Sequence, residues 1–186
     1  MILDIVNYGH PALRTKGKLV EKVDTKIHEL AEDMIETMHD AEGLGLAAQQ
    51  VGVSLQMTVL DIPALKKRPS VMWMDGEKMD FTALMPLVLL NPEVKKSGET
   101  KIETEGCLSF PGLQADIPRP ERVHVIADLL DGDKIEFEAE GLLARAVQHE
   151  HDHLHGILFI DRMSEEDRRA IAEELSEFAD NNQSAL

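Results

Sequence analysis

The chain has 186 residues, 43% of them hydrophobic and only 4% aromatic, with nine methionines and a formal charge of −16. That suffices for a single domain over residues 1–186, built on an aliphatic and Met-based core. The charge argues against nonspecific binding to DNA or anionic membranes, and no apolar run approaches the ~20 residues of a membrane span. The start, Met1-Ile2-Leu3-Asp4-Ile5, lacks the basic segment and long apolar stretch of a secretory signal. Together with the lone cysteine, this makes a reducing compartment, the cytoplasm, the expected location.

Asp24 or Thr25 can cap a first helix running to about Ala41, with Ile27, Leu30, Met34, Ile35 and Met38 on one face. Next comes Gly43-Leu44-Gly45-Leu46-Ala47-Ala48-Gln49-Gln50, small residues where a chain passes tightly, then an amide. It lacks the lysine of a phosphate-binding loop and the third glycine of a dinucleotide loop. Met57 to Ile62, Leu87 to Leu90 and Lys101 to Thr104 read as strands. Arg122 to Leu130 and Lys134 to Ala139 flank Asp131-Gly132, a strong hairpin signal. The spacing of Leu142, Leu143, Ala146 and Val147 predicts a helix that continues through His149-Glu150-His151-Asp152-His153 and stops at Gly156. Ser164 with Asp167 starts a last helix bearing Ile171, Leu175 and Phe178, and the tail 181–186 should fray. The fold class is α+β: twisted, mostly antiparallel strands around a central metal-binding helix, with N-terminal and C-terminal helices.

The run His149 to His153 fits H-E-x-x-H. On a helix the two histidines lie one turn apart beside the apolar stripe and point inward, whereas His151 and His155 fall on the other, solvated side. Two neutral imidazoles so spaced can hold a divalent metal, and Glu150 can take a proton from a metal-bound water. The alternative is an ordinary surface helix rich in His and Asp. A third ligand is open at this point. Phe159 stands where one zinc-protease pattern needs a histidine, and Glu173 is the candidate of a second pattern found in much larger enzymes. Cys107, in Glu105-Gly106-Cys107-Leu108-Ser109, is a better one. A glycine precedes it and the Pro111-Gly112 turn follows.

Taken in order, Gly43 to Gln50, Glu105 to Ser109 and Gln148 to His153 resemble the three motifs of the peptide deformylases. The likeness extends to Tyr8-Gly9-His10-Pro11-Ala12-Leu13-Arg14 and to Leu154 through Arg162. It implies a hydrolase that removes the formyl group from the N-terminal formyl-methionine of new proteins in a bacterial cytoplasm. It further implies that Cys107, His149 and His153 hold the metal and that Glu150 is the general base. Gln50 and the Leu108 N–H would form the oxyanion hole. Ferrous iron (Fe2+) is expected from the resemblance, with Ni2+, Co2+ or Zn2+ as substitutes. The donor set by itself would have suggested zinc. A methionine pocket should be walled by Leu44 and Gly45 from the glycine-rich turn, and by Leu142, Arg145 (through its methylenes), Ala146 and His149 from the helix.

The partners expected are formyl-methionyl peptides and nascent chains. Some family members dock on the ribosome through a basic C-terminal segment. Residues 164–186 here carry seven acids against two arginines, a net of −5, so ribosome contact should be transient if it occurs. Two departures from the family remain. Gln114 stands where many members have an arginine that helps hold the peptide. Residues 63–85 form an insertion containing Met72-Trp73-Met74, which either folds onto the core or approaches the cleft or another subunit.

Overall fold

The computed structural model describes residues 1–183. Helix α1, Thr25–Asp40, begins at Asp24, whose carboxylate accepts from the Ile27 N–H and so satisfies one orphan amide. It buries Ala31, Met34 and Met38. Seven strands follow: β1 Gly45–Ala47, β2 Met57–Leu60, β3 Ser70–Met74, β4 Glu77–Met79, β5 Leu87–Gly106, β6 Gln114–Asp128 and β7 Lys134–Gly141. They form one sheet in the order β1-β2-β5-β6-β7-β3-β4, with every neighbour antiparallel. Helix α2, Leu142–Leu154, lies at the centre. All its residues are buried except Ala146 and His151, which are partly exposed. Helices α3, Glu165–Ala170, and α4, Ala172–Gln183, close the chain.

Three apolar clusters make up the core, and the first of them holds α2. One joins Leu142, Leu143, Ala144 and Val147 to Met72, Phe137 and Leu60 from the sheet. A second packs Met34 and Met38 of α1 on Leu46 and Met57. The third gathers Phe110, Leu158 and Phe159 under Leu175 of α4, with the Phe110 and Phe159 rings edge to face at 5.0 Å.

Several elements differ from expectation. The two short strands at Leu87 and Lys101 are parts of one strand of 20 residues, bulged between Leu90 and Glu93 and again between Ser97 and Thr100. Asn91, at φ 51°, makes the first irregularity. The polar run between the bulges has no apolar alternation to reveal it, because that stretch of β5 pairs with β6 alone. Strand β6 begins eight residues earlier than expected, through Pro118 and Pro120. Prolines are tolerated there because β7 joins β6 only from Arg122 onward. The last helix is broken at Ile171. Asn181 to Gln183 are its final residues, and the rest of the expected frayed tail lies outside the described residues. His151 and His155 are half-buried rather than solvated, with ring centroids 4.5 Å apart.

The segment 63–85 is built into the sheet. Asp75 and Gly76, both left-handed, turn β3 into β4, and β3 pairs with β7 from Ser70 to Trp73. Met72 is wholly buried in the main core, and Arg122 lies over Trp73 at 4.8 Å. None of Met72, Trp73 and Met74 lines the cleft; Met72 lies in the main core and Met74 packs against it, which favours the segment folding onto the core, while Trp73 stays partly exposed. The segment also closes the N-terminus of α2. Leu143 N–H donates to Ser70 Oγ at 2.9 Å and Leu142 N–H to the Pro69 carbonyl at 3.2 Å. Gly141 has φ 74° and no side chain with which to cap, and a Cβ there would stand 1.9 Å from the Pro69 oxygen. Orphan helix amides are thus satisfied by a neighbouring strand.

Candidate metal centre

His149 and His153 are one turn apart on α2, with ring centroids at 5.0 Å. Cys107 follows directly on β5, in the turn that leads to β6. The ligand atoms of these three residues lie within 4.8 Å of one another, and Cys107 Sγ is 3.4 Å from His153 Nε2. Among the described residues they are the group of three His, Cys, Asp or Glu side chains gathered in this way. Glu173, the competing ligand, is exposed on α4 and outside the group.

The trio fits a divalent metal. His149 Nδ1 lies 2.9 Å from Glu105 Oε1. An ionised carboxylate only accepts, so the proton is on Nδ1 and the Nε2 lone pair is left for a metal. His153 turns Nε2 toward Cys107 Sγ and so offers that nitrogen to a metal, while its Nδ1 is buried without a hydrogen-bond partner among the described residues, an orphan of the kind a water resolves. Burial lowers both imidazoles. At His149 the Cys107 and Glu105 side chains outweigh it and hold the ring well above the ordinary value, while His153 stays well below, pressed further by His149. Ligation needs neutral rings, so loading displaces that proton.

Around the trio, Gln50 is buried. Its Oε1 accepts from the Ala47 N–H at 2.9 Å, which turns Nε2 toward Cys107 Sγ at 3.5 Å and Ser109 Oγ at 3.3 Å. The Leu108 N–H has no acceptor among the described residues. Glu150 is 4% exposed and its Oε2 has no hydrogen-bond partner among the described residues. Burial pushes its carboxyl up to about 7, against the lowering effect of His149 and Arg119. Gly45 makes room for it, since a Cβ at that position would sit 2.6 Å from Glu150 Oε1.

These groups open onto a cleft of about 1020 Å³. Leu44, Gly45, Leu142, Arg145, Ala146 and His149 all line it, as do Gln50, Cys107, Leu108 and Glu150. Arg145 is turned inward: Nη1 donates to Glu105 at 2.7 Å and to the Ile117 carbonyl at 2.8 Å, and Nη2 donates to the Lys101 carbonyl at 2.8 Å. Gln114 is exposed at the rim.

Beneath the trio runs a buried charge network in which Glu105, Arg119 and Asp152 were not recognised from sequence. Arg119 Nε and Nη2 clasp Glu105 at 2.6 and 3.0 Å, and Nη1 reaches Asp152 at 2.9 Å. Asp152 also accepts from Arg162 Nη2 at 2.7 Å. Burial would raise Glu105, but its bonds to His149 and Arg119 prevail and hold it well below the carboxylate range. A signal was present in β6. Ile117, Arg119, Val123, Val125 and Ala127 are its buried positions and all share one parity, so the arginine occupies an inward site.

A cysteine sulfur and two imidazoles turned together, with a buried carboxyl and amide donors beside them, make the arrangement of a metal-dependent hydrolase. The polypeptide deformylase family matches residues 2–169. A peptide deformylase of Methylacidiphilum infernorum is 46% identical over 94% of this chain and 92% of its own length, and that of Dictyoglomus thermophilum 45% over 89% and 95%. The crystal structure of the Thermus thermophilus peptide deformylase superposes with a TM-score of 0.81 at 36% identity, covering 97% of this chain and 99% of that one. The chain belongs to the peptide deformylase family, metal-dependent enzymes that remove the N-formyl group from the initiating methionine of new proteins.

Proposed function

We infer that this chain deformylates formyl-methionyl nascent chains with Cys107, His149 and His153 holding the metal and Glu150 moving the proton. Gln50 Nε2 and the Leu108 N–H bind the developing oxyanion. The observation that carries the assignment is the gathered trio, with Cys107 and His149 lining the cleft beside Glu150, whose Oε2 is buried and has no hydrogen-bond partner among the described residues. When bound, a divalent metal lowers the pKa of water from about 15.7 toward 7 and polarises the formyl oxygen.

The chain's own groups do the rest. Glu150 accepts the proton of the attacking water and delivers it to the amine nitrogen as the C–N bond breaks. A new C–O bond completes formate. A positioned acid/base of this kind contributes about 10²–10⁴-fold. Gln50 is held by Ala47 so that its amide donors face the site without reorganising. Leu44, Gly45, Leu142, Ala146, His149 and the Arg145 methylenes wall the methionine slot. Each methylene missing from such a slot is worth about 1–3 kcal/mol, so formyl-Met outcompetes formyl-Ala.

Ferrous iron is the metal that family resemblance favours. A thiolate with two imidazoles accommodates Fe2+, Ni2+, Co2+ or Zn2+. Elemental analysis after anaerobic purification decides among them. The enzyme works in the bacterial cytoplasm, and the acidic C-terminal helices leave ribosome contact transient. No helix among the described residues is long and apolar enough to cross a membrane.

The test is hydrolysis of formyl-Met-Ala-Ser by anaerobically iron-loaded protein, beside an unformylated peptide and casein. Formate release from the first alone supports the reading. Cys107→Ala, His149→Ala and His153→Ala should each lose metal. Glu150→Ala should keep metal and fold while losing nearly all turnover. Near-normal turnover by Glu150→Ala sinks the mechanism.

A further inference from the structure

Two cations line the cleft, Arg68 and Arg145. Arg145 is 5% exposed, and its two Nη groups are committed to Glu105 and to the Ile117 and Lys101 carbonyls. The Arg68 side chain is 38% exposed and makes one hydrogen bond, from Nη2 to Glu103 Oε2 at 2.9 Å. Its remaining guanidinium donors have no partner among the described residues. The chain beside it is anchored, because the Pro69 carbonyl and Ser70 Oγ accept from the first amides of α2 and Ser70 pairs with Gly141 of β7. Arg68 therefore presents free donors from an anchored position on the segment that joins β2 to β3. The other exposed charged residues lining the cleft, Glu42 and Glu174, are acids.

Arg68 also lines an adjoining groove of about 590 Å³, as do Thr104, Leu142 and Arg145, so the two cavities meet on the Leu142 side. That is the side where the methionine slot is walled. An extended peptide rises about 3.3 Å per residue and alternates its side chains, so residues one and three point the same way, roughly 6.6 Å apart. A peptide whose methionine fills the slot and whose chain runs toward this side carries its third side chain over Leu142 and Thr104 toward Arg68, and its second away.

On the reading of the cleft given above, we propose that Arg68 is a specificity-determining residue that selects for an acidic side chain at the third position of the formyl peptide. A chain of net charge −16 repels acidic peptides as a whole. The preference is accordingly position-specific: glutamate is favoured at position three and not at position two.

The experiment compares kcat/KM for C-terminally amidated formyl-Met-Ala-Glu, formyl-Met-Ala-Lys, formyl-Met-Glu-Ala and formyl-Met-Lys-Ala, with formyl-Met-Ala-Ser as reference. Glutamate should beat lysine at position three by about three- to fivefold at low salt, the range of a solvent-accessible ion pair. The ratio should collapse toward one at high salt. Arg68→Gln should abolish it, Arg68→Glu invert it and Arg68→Lys retain it, with thermal melts checking that each variant is folded. A wild-type ratio of one, a ratio that survives in Arg68→Gln, or a larger glutamate preference at position two overturns the assignment. Failure to hydrolyse formyl-Met-Ala-Ser takes down the deformylase reading and this one with it. Hydrolysis without a charge ratio takes down only the role of Arg68.

Discussion

Replacing Arg119 with methionine probes the support beneath the metal centre. The arginine is 2% exposed and holds two carboxylates at once, Glu105 through two bonds and Asp152 through a third. Removing one partner of a buried ion pair costs about 3–5 kcal/mol, because a charge is left uncompensated in a medium that solvates it poorly. Here each acid keeps another donor, Arg145 and His149 on Glu105 and Arg162 on Asp152. That places the expected loss at the low end, about 3 kcal/mol. Against a total stability of about 5–15 kcal/mol this leaves a folded protein. With a urea m-value of about 2 kcal/mol/M, the unfolding midpoint should fall by about 1.5 M. Glu105 would also lose two of the donors that fix it against His149 Nδ1, so metal affinity should drop by about 10–100-fold. Arg119→Lys keeps the charge without the fork and should fall between. A stability loss below about 1 kcal/mol, with metal affinity unchanged, would refute the claim that this network supports the site.

The other expectations are local. Gly45→Ala should place a methyl against Glu150, whose Oε1 would be 2.6 Å away, and cut turnover by about 10²-fold with metal content and fold retained. Wild-type turnover in that variant would show that the Glu150 position is not exacting. Ser70→Ala removes an acceptor from the first turn of α2 and should cost about 1 kcal/mol, read as a lowered Tm. A melt unchanged from wild type would mean the helix end finds another acceptor. Burial raises the Asp161 carboxyl, but its bonds with Arg14 and the Leu158 N–H outweigh this and set it below the ordinary value of 3.8. A depressed carboxyl stabilises the fold above its unfolded pKa and loses that contribution as pH falls through the folded one. The stability gap between wild type and Asp161→Asn should therefore be constant near neutrality and close below pH 3.8, and a gap that widens there would reverse the sign.

The metal helix was legible because its information is local. The apolar spacing of Leu142 to Val147 sets the phase, and the phase alone turns His149 and His153 to one side. The full burial of α2 was not legible. Gln148 and Asp152 look like a solvent face, and only the fold reveals that the Pro120 carbonyl accepts from Gln148 Nε2 and that Arg119 donates to Asp152. The segment 63–85 was read as an addition because its role is played at a distance, against β7 and the first turn of α2. Asp75-Gly76 is a hairpin dipeptide, but such a signal does not say which strand the hairpin joins.

The Glu105–Arg119 pair shows most clearly where local reading stops. Even a correct pairing of β5 with β6 would not have found it, since the rungs set Glu105 opposite Ala115 and Arg119 opposite Lys101. The two side chains meet diagonally, across four rungs or roughly 13 Å of strand, which only a long side chain lying along the sheet can span. Parity in β6 shows that Arg119 is inward. Direction along the strand is decided by what it meets there. The inward acid at the end of β5 already lies against His149, and a second acid comes from α2 itself. An inward arginine in this strand is stable only where it can reach both. The residue that β5 leads into and the two histidines that α2 carries are thus tied together by one guanidinium, which bonds to a neighbour of each and, among the described residues, hydrogen-bonds to none of the three.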